Sequence, residues 1–496
     1  MKSSPAEPMN AGPAPAASGD APAAVAAPWG GPPLRSTLRF LAVPALLVVA
    51  MNLFGWRLEP WALHGFAAIY GTVLLVHSLR DPEWLLAIVV LYLPLSRVYV
   101  AKVAPGLNGT NILIVLLLIA WTARVIAERR PYFRQMPGAG PVRWWAALSI
   151  LSIVTAGFTL GFFRIVDGLQ EIKLWIDQFI LFFAVLNLIR DGAMARRVMV
   201  YMMLGAVVVL ALGFQEWTEK RYLETIERAR LLGPQMQPND FGAFLVYSSG
   251  TAIALFAGNL TRLRSWLLVP YFLLLARILL ATFSRGAYIG MGVAGVAAAF
   301  VRGKLFLAVM GGMAVTVLFV YPELLPDSMR DRLGLATSQQ LAVEESLDTS
   351  SQTRLVLWQA AIEMTKESPL FGKGFKTFPF LKARYTEYDV EESDNHNMFL
   401  YISSQMGIPA LVAFLLVFYR AFRMGTHVYR SAPDVFGRSI GMGAAAMVAG
   451  AIAVNMFGSR MTDMATMAYV WFHIAVVSHL YAEAQAPKTQ PTGPTA

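Results

Sequence analysis

Cysteine is absent from this 496-residue chain. That excludes disulfides, thiolate metal sites and cysteine nucleophiles, and leaves the compartment open. Charge is scarce: Asp, Glu, Lys and Arg make up 15% of the residues, against roughly 25% in an average soluble domain. Histidine is scarcer, with six in the whole chain. No pair of histidines has a zinc-like spacing and no DxD-type carboxylate pair is present, so neither a metal site nor a cofactor is expected. Alternating ten-residue strands are missing, which argues against a transmembrane β-barrel. No internal repeat is visible.

Apolar residues fill the space instead. They reach 56% of the chain, with a mean hydropathy of +0.52. Runs of about 17 to 25 apolar residues, each long enough to span a bilayer, recur along most of its length. They predict an all-α polytopic membrane protein with about fourteen transmembrane helices. The expected spans are 38–55, 61–78, 83–100, 109–127, 143–163, 174–190, 196–216, 239–258, 264–283, 285–302, 304–321, 397–418, 438–456 and 464–481. The organisation that follows is a Pro/Ala-rich disordered tail over 1–36, eleven spans over 37–321, a large loop over 322–396, three spans over 397–481, and a second tail over 482–496. The N-terminal tail lacks the apolar core of a signal peptide.

The net charge of +10 belongs mostly to short loops such as "ERRPYFRQMPGAGPVR", "RDGAMARR" and "RAFRMGTHVYRSAPDVFGR". Positive loops stay inside. The expectation is therefore an inner-membrane protein with both termini cytoplasmic and the 322–396 loop periplasmic, and no nucleic-acid partner. Within that loop, "RLVLWQAAIEMTKESPLFGKGF" predicts an amphipathic helix with Leu355, Leu357, Trp358, Ala361 and Ile362 on its apolar side. Ser368-Pro369 ends it and a glycine-rich turn follows.

Several polar residues stand where apolar ones are expected. Arg277 lies inside a span, a costly position that calls for a partner or a cavity. Ser284-Arg285-Gly286 sits at a junction between two apolar runs, where Gly286 suits a tight turn and Arg285 suits a forked grip on phosphate or a headgroup anchor. Arg354 opens the loop helix. In "GPQMQPNDFG", Asn239 and Asp240 read as helix caps. His396, with Asn397 beside it and Asp389, Glu391, Glu392 and Asp394 before it, stands at the start of a span. It reads as a cap or as a general base.

Three blocks resemble a known family. "SRGAYIGMGVAG", "RLVLWQAAIEMTKESPLFGKGFKTF" and "HNMFLYISSQMGIPALVAFL" are similar, in that order, to blocks of the O-antigen ligase and O-antigen polymerase superfamily. The pattern His-Asn, nine residues, then Gly matches His396, Asn397 and Gly407. Gln237-Pro238-Asn239 stands where Asn-Pro-Asn is usual. The resemblance implies a class C-like glycosyltransferase that is metal-independent and inverting. Its donor would be an undecaprenyl-pyrophosphate-linked oligosaccharide and its acceptor a glycan. Chain-length regulators or export proteins would be partners, alongside membrane lipids. By the same resemblance His396 is the catalytic base. Arg285 and Arg354, with Arg277 as a third, hold the pyrophosphate, and Asn397, Asn239 and Asp394 support the site. Ile408-Pro409-Ala410 departs from the Gly-x-x-Gly of many ligases and favours a polymerase of surface polysaccharide or exopolysaccharide. The alternatives are a ligase to lipid A-core, a protein O-oligosaccharyltransferase, or, in another class, a lipid-linked glycan flippase. A transporter would carry midplane charges and repeated halves.

Overall fold

A computed structural model describes residues 60–99, 108–223, 226–319, 344–386 and 391–486. The expected span 38–55 and the N-terminal tail lie outside the described residues. The principal helices are α1 (Pro60–Arg80), α2 (Glu83–Tyr92), α3 (Gly109–Ala127), α4 (Ala139–Leu160), α5 (Leu169–Leu188), α6 (Gly192–Lys220), α7 (Pro238–Ala257), α8 (Val269–Ala281), α9 (Arg285–Arg302) and α10 (Lys304–Phe319). After them come α11 (Glu344–Glu367), α12 (Met398–Met406), α13 (Ile408–Ser431), α14 (Val435–Asn455) and α15 (Met464–Gln485). No strand occurs among the described residues.

Among the described residues, seven helical segments are long and apolar enough to cross a membrane: Gly109–Ala127, Ala139–Leu160, Gly192–Lys220, Pro238–Ala257, Leu263–Ala281, Ile408–Ser431 and Val435–Asn455. They make this a multi-pass α-helical membrane protein. The spans expected at 285–302, 304–321 and 464–481 also fall on helices, α9, α10 and α15. The last helix, α15, runs on to Gln485, past the expected end of its span at 481.

The packing centre is α14, which touches α7, α9 and α13. Its sequence "GMGAAAMVAGAIA" explains why. In a membrane interior small residues let backbones approach, and van der Waals contact then holds the helices together. A Cβ added at Gly443 would lie 2.6 Å from Thr251 Cα on α7, so a larger residue there must push the two helices apart. Aromatic packing holds the neighbouring α4, α5 and α15, with the Trp145 ring 5.7 Å from both Trp175 and Trp471.

The span expected over 397–418 is not one helix. It breaks at Gly407, whose φ of +88° is open to glycine and strained for other residues. A Cβ there would also meet the Leu370 carbonyl oxygen at 2.3 Å. The glycine-rich turn after the loop helix fills the break. The Lys373 and Gly374 amides donate to the Ser404 and Gln405 carbonyls at 2.9 Å, and the Ile408 amide donates to the Pro369 carbonyl at 2.7 Å. The Phe375 amide reaches the Ser152 carbonyl on α4 at 2.9 Å. These bonds satisfy helix-end groups that the break would otherwise leave without partners.

The loop helix exists and ends before Pro369, as its sequence predicts, but its buried side differs. Leu357, Ala360, Ala361 and Met364 are fully buried, whereas Leu355 and Ile362 are 62% and 41% exposed. The buried set has the i, i+3, i+4, i+7 spacing of one helix face. It packs with Phe378 and Leu381, and Leu160 of α4 and Leu400 of α12 close the cluster. Burying a leucine contributes roughly 1.5–3 kcal/mol, so this face ties the segment 344–386 to the bundle.

Candidate functional site

The site gathers at one end of the bundle, where α7, α9 and α15 begin and α14 ends. Two turns and the helix α11 bring arginines there. The first precedes α9. Phe283, not Gly286, makes the turn, with φ +50°, and Arg285 follows as the first helical residue. Gly286 is helical, and its bare face lies against Phe457; an added Cβ would sit 3.2 Å from the Phe457 side chain. That packing sets α9 beside the turn after α14.

The second arginine comes from that turn. The Arg460 amide donates to Asn455 Oδ1 at 3.1 Å, and Asn455 Nδ2 donates to the Tyr247 hydroxyl at 2.8 Å. The backbone is thereby held on both sides. The Arg460 guanidinium meets Asp240 Oδ1 at 2.9 Å, with both side chains 12–13% exposed. Asp240 is placed by the start of α7. There Gln237, rather than Asn239 or Asp240, is the N-cap, accepting from the Asp240 amide at 2.8 Å. Pro238 follows, its fixed φ suited to a first helical position. Asn239 turns elsewhere: its Oδ1 accepts from Arg230 at 3.3 Å, and Arg230 Nε donates to the Thr282 carbonyl at 3.1 Å. It braces the turn that carries Arg285.

The third is Arg354, carried by the docked face of α11. Burial lowers its pKa from the ordinary arginine value, and the guanidiniums of Arg285 and Arg460 lower it further. Three like charges therefore share one region. Among the described residues no carboxylate pairs with Arg285 or Arg354.

His396 faces this cluster. It is not the helix cap: Asn397 is, accepting from the Phe399 and Leu400 amides at 3.0 and 3.1 Å. The preceding Asn395 is buried and accepts the Asn397 amide at 3.1 Å. Between these asparagines His396 takes a left-handed φ of +53°, a conformation that costs energy and recurs at functional sites. Its ring is about one-third exposed, with Nδ1 3.7 Å from Asp394 Oδ2. Asp394 Oδ1 accepts from the Ser459 hydroxyl at 2.9 Å, which joins the histidine's loop to the arginine turn. Burial pulls the His396 pKa below its usual value. Asp394 opposes this, Arg354 and Arg460 add to it, and Glu392 opposes it weakly. The net result favours the neutral ring, the form that accepts a proton.

The structure thus brings His396, Asp394, Asn397, Arg285 and Arg354 together. Arg277 stands apart on α8, its guanidinium 4.5 Å from the centroid of Trp217. Asp389 lies outside the described residues. Sequence reasoning missed Arg460 and Asp240. A signal for Arg460 was present, because Ser459-Arg460 repeats the Ser284-Arg285 arrangement, a Ser-Arg pair between two apolar runs. Arg97 and Asp463, paired at 2.8 Å, extend the same polar layer.

A protein-family model described as O-Antigen ligase matches residues 270–415. The match takes in Arg277, Arg285, Arg354, Asp394, His396 and Asn397 and leaves Asn239, Asp240 and Arg460 outside. It supports the O-antigen ligase and polymerase superfamily that the three motif blocks resemble. No curated protein matches the chain.

Proposed function

We propose that this chain, with its O-antigen ligase domain over 270–415, is a glycosyltransferase of surface-polysaccharide assembly. It polymerises undecaprenyl-pyrophosphate-linked oligosaccharide repeats into a surface polysaccharide or exopolysaccharide. The observation that carries this reading is the neutral-leaning His396 set against Arg285, Arg354 and Arg460 at one end of an apolar bundle. A lipid-bound pyrophosphate keeps its tail in the bilayer and its charge at the interface, where these groups stand. We take the interface to be the periplasmic face of the inner membrane, with about fourteen spans, a class C-like fold and both chain ends cytoplasmic.

In the reaction, the acceptor hydroxyl oxygen attacks the anomeric carbon of the donor. The bond from that carbon to the pyrophosphate oxygen breaks, and the pyrophosphate leaves with the electron pair. His396 takes the hydroxyl proton. Attack opposite the leaving group inverts the anomeric centre. Charge grows on the departing oxygen, so guanidiniums fixed beforehand at that position stabilise the transition state more than the ground state. Arg285 and Arg354 supply that charge without a metal ion. Arg460 is held by Asp240 and sets the field around them. Docking of α11 would exclude water, the competing acceptor.

The decisive experiment gives the full-length protein, reconstituted in bilayers, its native lipid-linked repeat. A ladder of longer glycans is expected. Donor movement across the bilayer with no new glycosidic bond would instead indicate a flippase. The description of the matching family favours a second reading, transfer to lipid A-core as a ligase. Single transfer to an added lipid A-core acceptor, with no ladder, would select it.

A further inference from the structure

The end of the bundle away from His396 holds a second group of arginines. Arg420, Arg423, His427 and Arg430 recur on α13 at spacings of three and four residues, so they share one helix face. That face, with Tyr419, Tyr481 of α15 and Pro137-Gly138 just before α4, lines an open cavity of about 410 Å³. Several arginines at this end are neutralised. Arg196 pairs with Asp434 and Glu483 at 2.9 Å, and both Arg197 nitrogens bond Glu83 at 2.7 Å. The cavity differs: no carboxylate lines it, and none pairs with Arg420, Arg423 or Arg430 among the described residues. Arg423 is held in place, donating to the Tyr419 hydroxyl at 3.0 Å. His427 packs edge-on to Tyr481 at 4.8 Å.

We propose that this cavity binds a phosphate group, carried either by an anionic membrane lipid or by a soluble phosphate. Here three arginines, each able to donate two parallel hydrogen bonds to phosphate oxygens, line one cavity with tyrosines beside them. Nothing in the transfer reaction uses them.

The test compares two paired substitutions that remove equal charge from the same end of the bundle. R420Q/R430Q empties the cavity wall. R262Q/R264Q removes exposed arginines from the connection between α7 and α8. In one arm, full-length protein is purified from bilayers containing phosphatidylglycerol and phosphatidylcholine, and the retained phosphatidylglycerol is counted by native mass spectrometry. In the other arm, the thermal midpoint is followed in sodium phosphate and in sodium chloride at matched ionic strength. Loss of roughly tenfold or more of the retained lipid in R420Q/R430Q, with less than about twofold in R262Q/R264Q, supports the site and identifies a lipid source. A phosphate-specific shift lost only in R420Q/R430Q supports it and identifies a soluble source. Equal losses in both variants, or none in either, overturn the proposal. If R420Q/R430Q does not fold, R420K/R430K keeps the charge and removes the forked geometry. Undiminished retention of lipid, with an undiminished phosphate shift, in that variant overturns it as well.

Discussion

Two regions of the helical bundle treat arginine differently. At the end where α6 and α14 begin, Arg196 is shared between Asp434 and Glu483, Arg197 is clasped by Glu83, and Arg190 meets Asp81 at 3.1 Å. Those guanidiniums fasten helices to one another. At the other end Arg460 has Asp240, but Arg285 and Arg354 have no carboxylate among the described residues, and burial together with the guanidiniums of Arg285 and Arg460 lowers the basicity of Arg354. A folded chain accepts that repulsion where an anion will relieve it. Paired arginines are read as structural, and crowded ones with no carboxylate among the described residues as a candidate site.

His396→Ala should break this contrast most severely. The prediction is a fall in transfer rate of roughly 100-fold or more, the usual scale for removing a general base, with donor binding retained. The measurement is glycan formation from the lipid-linked donor in reconstituted vesicles. A near-normal rate would return the histidine to a structural role.

Lysine substitutions come next. Arg354→Lys and Arg285→Lys keep the charge but lose the fork, and each should lower the transfer rate by roughly tenfold. Arg196→Lys at the opposite end should leave the rate within about twofold, because exposed or partly exposed ion pairs contribute little. Equal effects at both ends would erase the distinction.

The pH profile gives a smaller and more specific test. Only neutral His396 accepts a proton, so activity should fall as pH drops through its pKa. Burial and the arginines lower that pKa, which places the acid limb below the ordinary histidine value of about 6.5. Arg354→Gln removes a charge that disfavours the protonated ring, and should move the limb to higher pH. Asp394→Asn removes one that favours it, and should move the limb to lower pH. Limbs that stay in place in both variants would dissociate the titration from His396. The smallest effect is expected from a chelator: EDTA should leave the rate unchanged, because the arginines supply the positive charge, and activity restored by a divalent ion would contradict this.

Composition and periodicity alone determined that the chain is an α-helical membrane protein, since long apolar runs must satisfy their backbone groups internally. The stop at Ser368-Pro369 was equally legible, because proline is locally incompatible with a continuing helix. The motif blocks were legible too, through their fixed spacing. Tertiary structure decided the rest. The apolar run over 397–418 gives no sign that Gly407 adopts a positive φ; that follows from the neighbouring 368–375 segment, whose backbone occupies the space a Cβ would need. The buried face of α11 rests on Leu160 and Leu400, residues far apart in sequence, so periodicity within the helix could not choose between Leu355 and Met364. Arg460 entered the site because Asp240, 220 positions earlier, lies beside it. Hydropathy depends on each residue and its near neighbours, whereas the field at His396 is a sum over charges that only folding brings together.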